Sequence, residues 1–154
     1  HNNIKENVIT NSTYGMFYHN ANYNNICRNN ISNIAVEGIE LQDQVSYNIV
    51  AENKLANCSV GIKLLGPNYN NIVSGNIVTD GQSGIQIVNA RYTEIFNNTI
   101  AHNYGSEWDA GIRLDSAGYS RIHSNLIADN RRGRRLYGNS GSHKQCCGRR
   151  YHLR

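Results

Sequence analysis

The chain has 154 residues, with 25 Asn, 14 Gly and a single Pro, and a formal charge of +4 at pH 7. No window is long and apolar enough for a transmembrane helix, and four cysteines without framework spacing argue against a disulfide-stapled fold. The charge is split: residues 1–130 hold all 11 acids and 7 bases, net −4, while residues 131–154 hold 8 bases and no acid.

Taken from the N-terminus, the sequence keeps returning to one phrase. Asn3-Ile4 and Asn7 lead to Gly15-Met16-Phe17-Tyr18. Tyr23, Asn25-Ile26 and Asn30 then lead to Gly38-Ile39-Glu40-Leu41. The third pass runs through Tyr47, Asn48-Ile49 and Asn53 to Gly61-Ile62-Lys63-Leu64. The fourth runs through Tyr69, Asn71-Ile72 and Asn76 to Gly84-Ile85-Gln86-Ile87. In the fifth, Tyr92, Glu94-Ile95 and Asn98 precede Gly111-Ile112-Arg113-Leu114, and in the sixth, Tyr119, Arg121-Ile122 and Asn125 precede a degraded Gly133-Arg134-Arg135-Leu136. The glycine intervals are 23, 23, 23, 27 and 22 residues. A fixed period of this length marks a repeat architecture.

Each apolar run is too short for a helix and alternates with period two, and Gly and Asn clusters separate the runs. A unit of this length with three short strands is one turn of a parallel β-helix; a leucine-rich repeat would need several leucines per unit. The expected fold is therefore all-β: a right-handed single-stranded parallel β-helix solenoid of about six rungs. Equivalent residues in successive rungs should stack about 4.8 Å apart. Inward Ile and Leu would form the core, and Asn at the turns would enter ladders, since it tolerates left-handed backbone. The rarity of Pro fits, because Pro would remove a ladder donor. Phase-locked Ile and Gly argue against an Asn-rich disordered tract.

The repeats are expected to occupy residues 1–130. The chain opens at His1 without an initiator Met or a capping helix, so it reads as an uncapped segment of a longer solenoid, the rest of which would be its first partner. Residues 131–154 form a basic tail expected to be poorly ordered. Their arginines lack aromatic interleaving, which favours a reading-frame error or scar over a nucleic-acid-binding arm. His143, Cys146, Cys147 and His152 lack the cysteine spacing of a zinc site.

The repeated phrases resemble the right-handed parallel β-helix superfamily, which includes pectate lyases, mannuronan epimerases and NosD-type periplasmic repeat proteins. That resemblance implies an extracellular, periplasmic or cell-surface location and a polysaccharide partner. It also implies one of two roles. One is binding or processing of a polysaccharide, as by a uronan lyase or epimerase. The other is that of a non-enzymatic NosD-like repeat protein. Tyr14-Gly15-Met16-Phe17-Tyr18-His19 is similar to the Tyr-Gly-Phe-Asp-Pro-His motif of mannuronan epimerases, with Phe17 and Tyr18 where that motif has Asp and Pro. The resemblance implies acid and base roles for Tyr14 and His19.

Alternation on the Gly-Ile-x-Leu strand supplies a second set of candidates. If Ile39 and Leu41 point inward, one outward file holds Phe17, Glu40, Lys63, Gln86 and Arg113, and its neighbour holds His19, Gln42, Leu65, Val88 and Asp115. Such a strip would bind successive sugars, with Lys63 and Arg113 neutralising a uronate carboxylate and His19 as general base. The longer fourth interval places extra residues within 101–110, including Glu107, Trp108 and Asp109. Insertions in solenoids become loops, often on the binding face. Trp108 would stack on a sugar, and the two acids would serve as acid and base or bind calcium.

Overall fold

The computed structural model describes residues 1–105 and 111–130 and, beyond them, only the backbone of 134–137. The chain winds into a parallel β-solenoid. The first turn holds β1 (Asn3–Lys5), β2 (Val8–Ser12) and β3 (Met16–His19). In the next two turns the second and third strands fuse, giving β4 (Asn25–Cys27) with β5 (Asn30–Gln42), then β6 (Ile49–Ala51) with β7 (Lys54–Leu65). The fourth turn holds β8 (Ile72–Ser74), β9 (Ile77–Thr79) and β10 (Ser83–Val88). The fifth holds β11 (Glu94–Phe96), β12 (Thr99–Ala101) and β13 (Ile112–Asp115). The last has β14 (Arg121–His123), β15 (Leu126–Ala128) and β16 (Arg134–Tyr137).

The first strand of each turn joins a six-stranded parallel sheet, β1-β4-β6-β8-β11-β14. The others line two further faces of one larger sheet that bends at the long strands β5 and β7. We call the face built by β3, the C-terminal halves of β5 and β7, β10, β13 and β16 the repeat face. Its register pairs Ile39 with Ile62, Ile62 with Ile85, and Ile85 with Ile112, as the periodicity predicts. The degraded sixth phrase holds the phase, with Leu114 opposite Leu136. The rest of the basic tail lies outside the described residues.

Among the described residues, four inward files line the three faces of the tube. Ile39, Ile62, Ile85 and Ile112 form one, and Leu41, Leu64, Ile87 and Leu114 the next. Ile31, Leu55, Val78 and Ile100 cover the middle face, and Ile26, Val50, Val73 and Ile95 the six-stranded sheet. Each such side chain contributes roughly 1.5–3 kcal/mol when fully buried. The glycine of the first four phrases has a steric cause. A Cβ on Gly38 would lie 2.7 Å from the Gly61 carbonyl oxygen and 2.6 Å from a Leu55 methyl, and one on Gly84 would strike the Gly111 carbonyl oxygen. Successive turns meet too closely there for any side chain.

The inward file on the six-stranded sheet differs from the predicted Ile column. Val50 and Val73 occupy it, while Ile49 is 40% exposed and Ile72 half-buried. The Asn columns hold except at Asn3, Asn25 and Asn30, where the ladder residue is one position earlier: the ladders run Asn2, Asn24, Asn48, Asn71 and Asn7, Asn29, Asn53, Asn76, Asn98, Asn125. Asn3, Asn25 and Asn30 are strand residues outside these ladders. The cause is geometric. A ladder asparagine must point inward, and the next inward residue lies two positions on. That position falls on Ile26 after Asn24, and on Val50 after Asn48. The tyrosine column likewise skips Tyr69: Tyr23, Tyr47, Tyr92 and Tyr119 take left-handed backbone, with Asn70 in the middle turn.

Each ladder amide is satisfied. The Asn53 backbone N–H and Nδ2 donate to Asn76 Oδ1 at 2.9 and 3.0 Å. Nδ2 also donates to the Ile26 carbonyl at 2.9 Å. Asn29 in turn donates twice to Asn53 Oδ1. These asparagines are as buried as the isoleucines beside them, so complete pairing is what makes their burial tolerable.

Candidate functional site

The strand register places the candidate residues on the repeat face. Phe17 pairs with Glu40, Glu40 with Lys63, Lys63 with Gln86 and Gln86 with Arg113, giving one outward file. His19, Gln42, Leu65, Val88 and Asp115 form the neighbouring file. The three candidate catalytic residues do not converge. Tyr14 and His19 belong to the first turn and Arg113 to the fifth, four rung spacings or about 19 Å away.

At the N-terminal end of this face lies an open groove of about 560 Å³. Tyr14 and Phe17 form an aromatic wall, with Gln42 and Leu65 from the neighbouring file or its edge and Glu37, Glu40 and Lys63 beneath. The two rings meet edge to face with centroids 6.4 Å apart, and each stays about half exposed. Lys63 Nζ lies 2.8 Å from Glu37 Oε1 and 3.4 Å from Glu40 Oε1. Both carboxylate residues are buried, at 6% and 4% exposure.

The electrostatics of this trio follow from that burial. Desolvation pushes the Glu40 carboxyl above its ordinary value; Lys63 works against this, while the Glu37 and Asp43 charges add to it. Burial alone would lower the Lys63 ammonium. The hydrogen bond to Glu37 and the charges of both glutamates outweigh it and hold Lys63 above its ordinary value. His19 Nε2 lies 3.4 Å from Asp43 Oδ2, and its ring stacks at 6.5 Å on Phe17. Further along, Arg113 pairs with Asp115 at 3.2 Å.

Glu37 was not among the sequence candidates. It sits at a register shift between Ile34 and Glu37 where β5 meets β7. One extra residue in this turn turns Glu37 toward Lys63. The signal was available as spacing: Gly38 follows Ile31 by seven positions, while Gly15, Gly61 and Gly84 follow Ile9, Leu55 and Val78 by six.

The insertion residues Glu107, Trp108 and Asp109, and the calcium expectation attached to them, lie outside the described residues. Elsewhere, Glu94 on the six-stranded sheet accepts from His123 at 3.2 Å, and the His123 ring stacks on Phe96 at 5.2 Å. Cys27 and Cys58 are buried free thiols. Among the described residues, no three of His, Cys, Asp and Glu gather in a way that would hold a metal ion.

A family model described as NosD, periplasmic copper-binding protein, matches residues 1–73 and 46–144. No curated protein and no solved structure matches the sequence. The expected extracellular, periplasmic or surface location agrees with that family description. Among the described residues, no helix is long and apolar enough to cross a membrane.

Proposed function

The chain belongs to the NosD family, and on that premise we propose that it is a non-enzymatic periplasmic or cell-surface repeat protein, a rigid rod whose repeat face binds a ligand without processing it. The observation that carries this reading is the state of the charged groups on that face. Lys63 is held between Glu37 and Glu40, and His19 lies against Asp43. Arg113, the second cation expected to neutralise a uronate, is paired with Asp115. A lyase or epimerase needs a base within hydrogen-bond reach of the proton it removes and a cation on the neighbouring carboxylate. Here the expected base and the expected Arg113 stand four turns apart.

The aromatic wall supports a saccharide as the ligand class, since Tyr14 and Phe17 offer exposed ring surface beside polar groups. Copper is a different matter. Imidazole, thiolate and thioether are the donors that suit it, and the described residues do not assemble them. Cys27 lies on the six-stranded sheet and Cys58 in β7. The buried Met16 sulfur takes the Tyr18 hydroxyl, and His19 and His123 each face a single carboxylate. The described turns therefore do not fit a copper centre.

The direct test is to incubate the chain with alginate and with pectate and follow unsaturated products and epimer ratios. Neither should change. Turnover of either polymer that disappears in His19→Ala would overturn the non-enzymatic reading.

A further inference from the structure

We propose that the groove beneath Tyr14 and Phe17 is a binding site for an amino sugar, a saccharide ring carrying a protonated primary amine, and that it discriminates against uronates. The proposal builds on the saccharide reading above and fixes the sign of charge that the ligand must carry.

The groove floor carries more carboxylates than cations. Two carboxylates, Glu37 and Glu40, share a single ammonium from Lys63. Asp43 is close enough to act on Glu40, and its one neighbouring cation is His19, which is charged only when protonated. The groove is therefore at least one positive charge short of neutrality. A uronate would bring a further negative charge to a place where Lys63 is already committed. An ammonium would instead complete a two-by-two set of alternating charges.

Burial makes the deficit matter. Glu40 is 4% exposed, and Lys63 at 3.4 Å is its ion-pair partner among the described residues. A charged carboxylate is costly to bury with incomplete pairing, and its raised affinity for a proton reports that cost. The ammonium of a ligand would relieve it where a proton otherwise must.

A second observation points the same way and is independent of the acids. The half-exposed Tyr14 and Phe17 rings line the same groove and meet edge to face 6.4 Å apart. They attract both the apolar face of a pyranose and a cation held over an aromatic face.

The test is calorimetric titration of the whole chain with three tetrasaccharides: β-1,4-linked glucosamine, its N-acetylated form, and galacturonate. The pH is set low enough to protonate the sugar amines and high enough to ionise the glutamates. The amine tetramer should bind at least ten-fold more tightly than the acetylated one, and the galacturonate should not bind. Glu40→Gln should weaken the amine tetramer about ten-fold or more, and Phe17→Ala, at an exposed position that leaves the fold intact, should do the same. Equal binding of the three tetramers, preference for galacturonate, or indifference to both substitutions overturns the assignment. Failure to bind any of the three also overturns it, but leaves the non-enzymatic reading standing, since that is judged by product release.

Discussion

Two buried polar rows run along the same tube and have opposite characters. The Asn7-Asn29-Asn53-Asn76-Asn98-Asn125 ladder is neutral, repeats from turn to turn, and gives each buried amide its donors and acceptors. The Glu37-Glu40-Lys63 group is charged, occurs in one place and is left short of cation. Complete pairing makes the first row part of the framework. Incomplete pairing leaves the second with affinity to spare. The sharpest way to break this contrast is Asn53→Ala. It orphans two Asn29 donors and the Ile26 carbonyl, each at roughly 1–3 kcal/mol. A loss of about 3–9 kcal/mol should appear in denaturant unfolding, enough to unfold a marginal domain. A loss below about 1 kcal/mol would mean that the ladder is ornament.

The other ladder allows the converse experiment. Asn2, Asn24, Asn48 and Asn71 stack, but the fifth position is Thr93, whose buried hydroxyl has no hydrogen-bond partner among the described residues. The periodic asparagine ends there because Thr93 and Ser120 hold the ladder places, while Glu94 and Arg121 are strand residues beside them. Thr93→Asn would give Asn71 an Oδ1 acceptor like the one it provides to Asn48. It should stabilise the chain by about 1 kcal/mol, read as a higher unfolding midpoint. Destabilisation would show that this corner is too tight for an amide and that the break in the ladder is steric.

How much of this was legible in the sequence depends on which force set each position. The repeat face was readable because Gly, an inward Ile and an inward Leu are fixed together by close approach and alternation, so Ile39, Ile62, Ile85 and Ile112 fall in register. The six-stranded sheet was misread by one residue in two turns, because Ile49-Val50 and Ile72-Val73 are both apolar and only the inward asparagine decides between them. The outward file from Phe17 to Arg113 was legible for the same reason as the core. Its chemistry was not. Side-chain reach brings Glu37 onto Lys63 across the turns, and the extra residue that permits this is cancelled within the 23-residue glycine interval. Lys63 therefore read as a cation free to meet a uronate, when it is already held by two carboxylates.

The smallest expected effect bears on the groove itself. Burial, the largest cause, raises the Glu40 carboxyl above its ordinary value in the folded chain. Between the ordinary and the raised value, the folded chain binds more protons than the unfolded one, so stability falls as pH rises through that window and is regained as pH falls through it. Lys63 does not disturb this window, because its ammonium is held above its ordinary value and so contributes stability that disappears only in strong base. Glu40→Gln keeps the shape and removes the titration. It should change stability near neutrality by no more than about 1 kcal/mol, since Lys63 retains Glu37 at 2.8 Å. Its signature is instead a flattened pH profile: the wild-type chain gains stability on mild acidification and the variant does not. If both gain equally, the gain on acidification does not come from Glu40, and the uncompensated charge in the groove is not on its carboxylate.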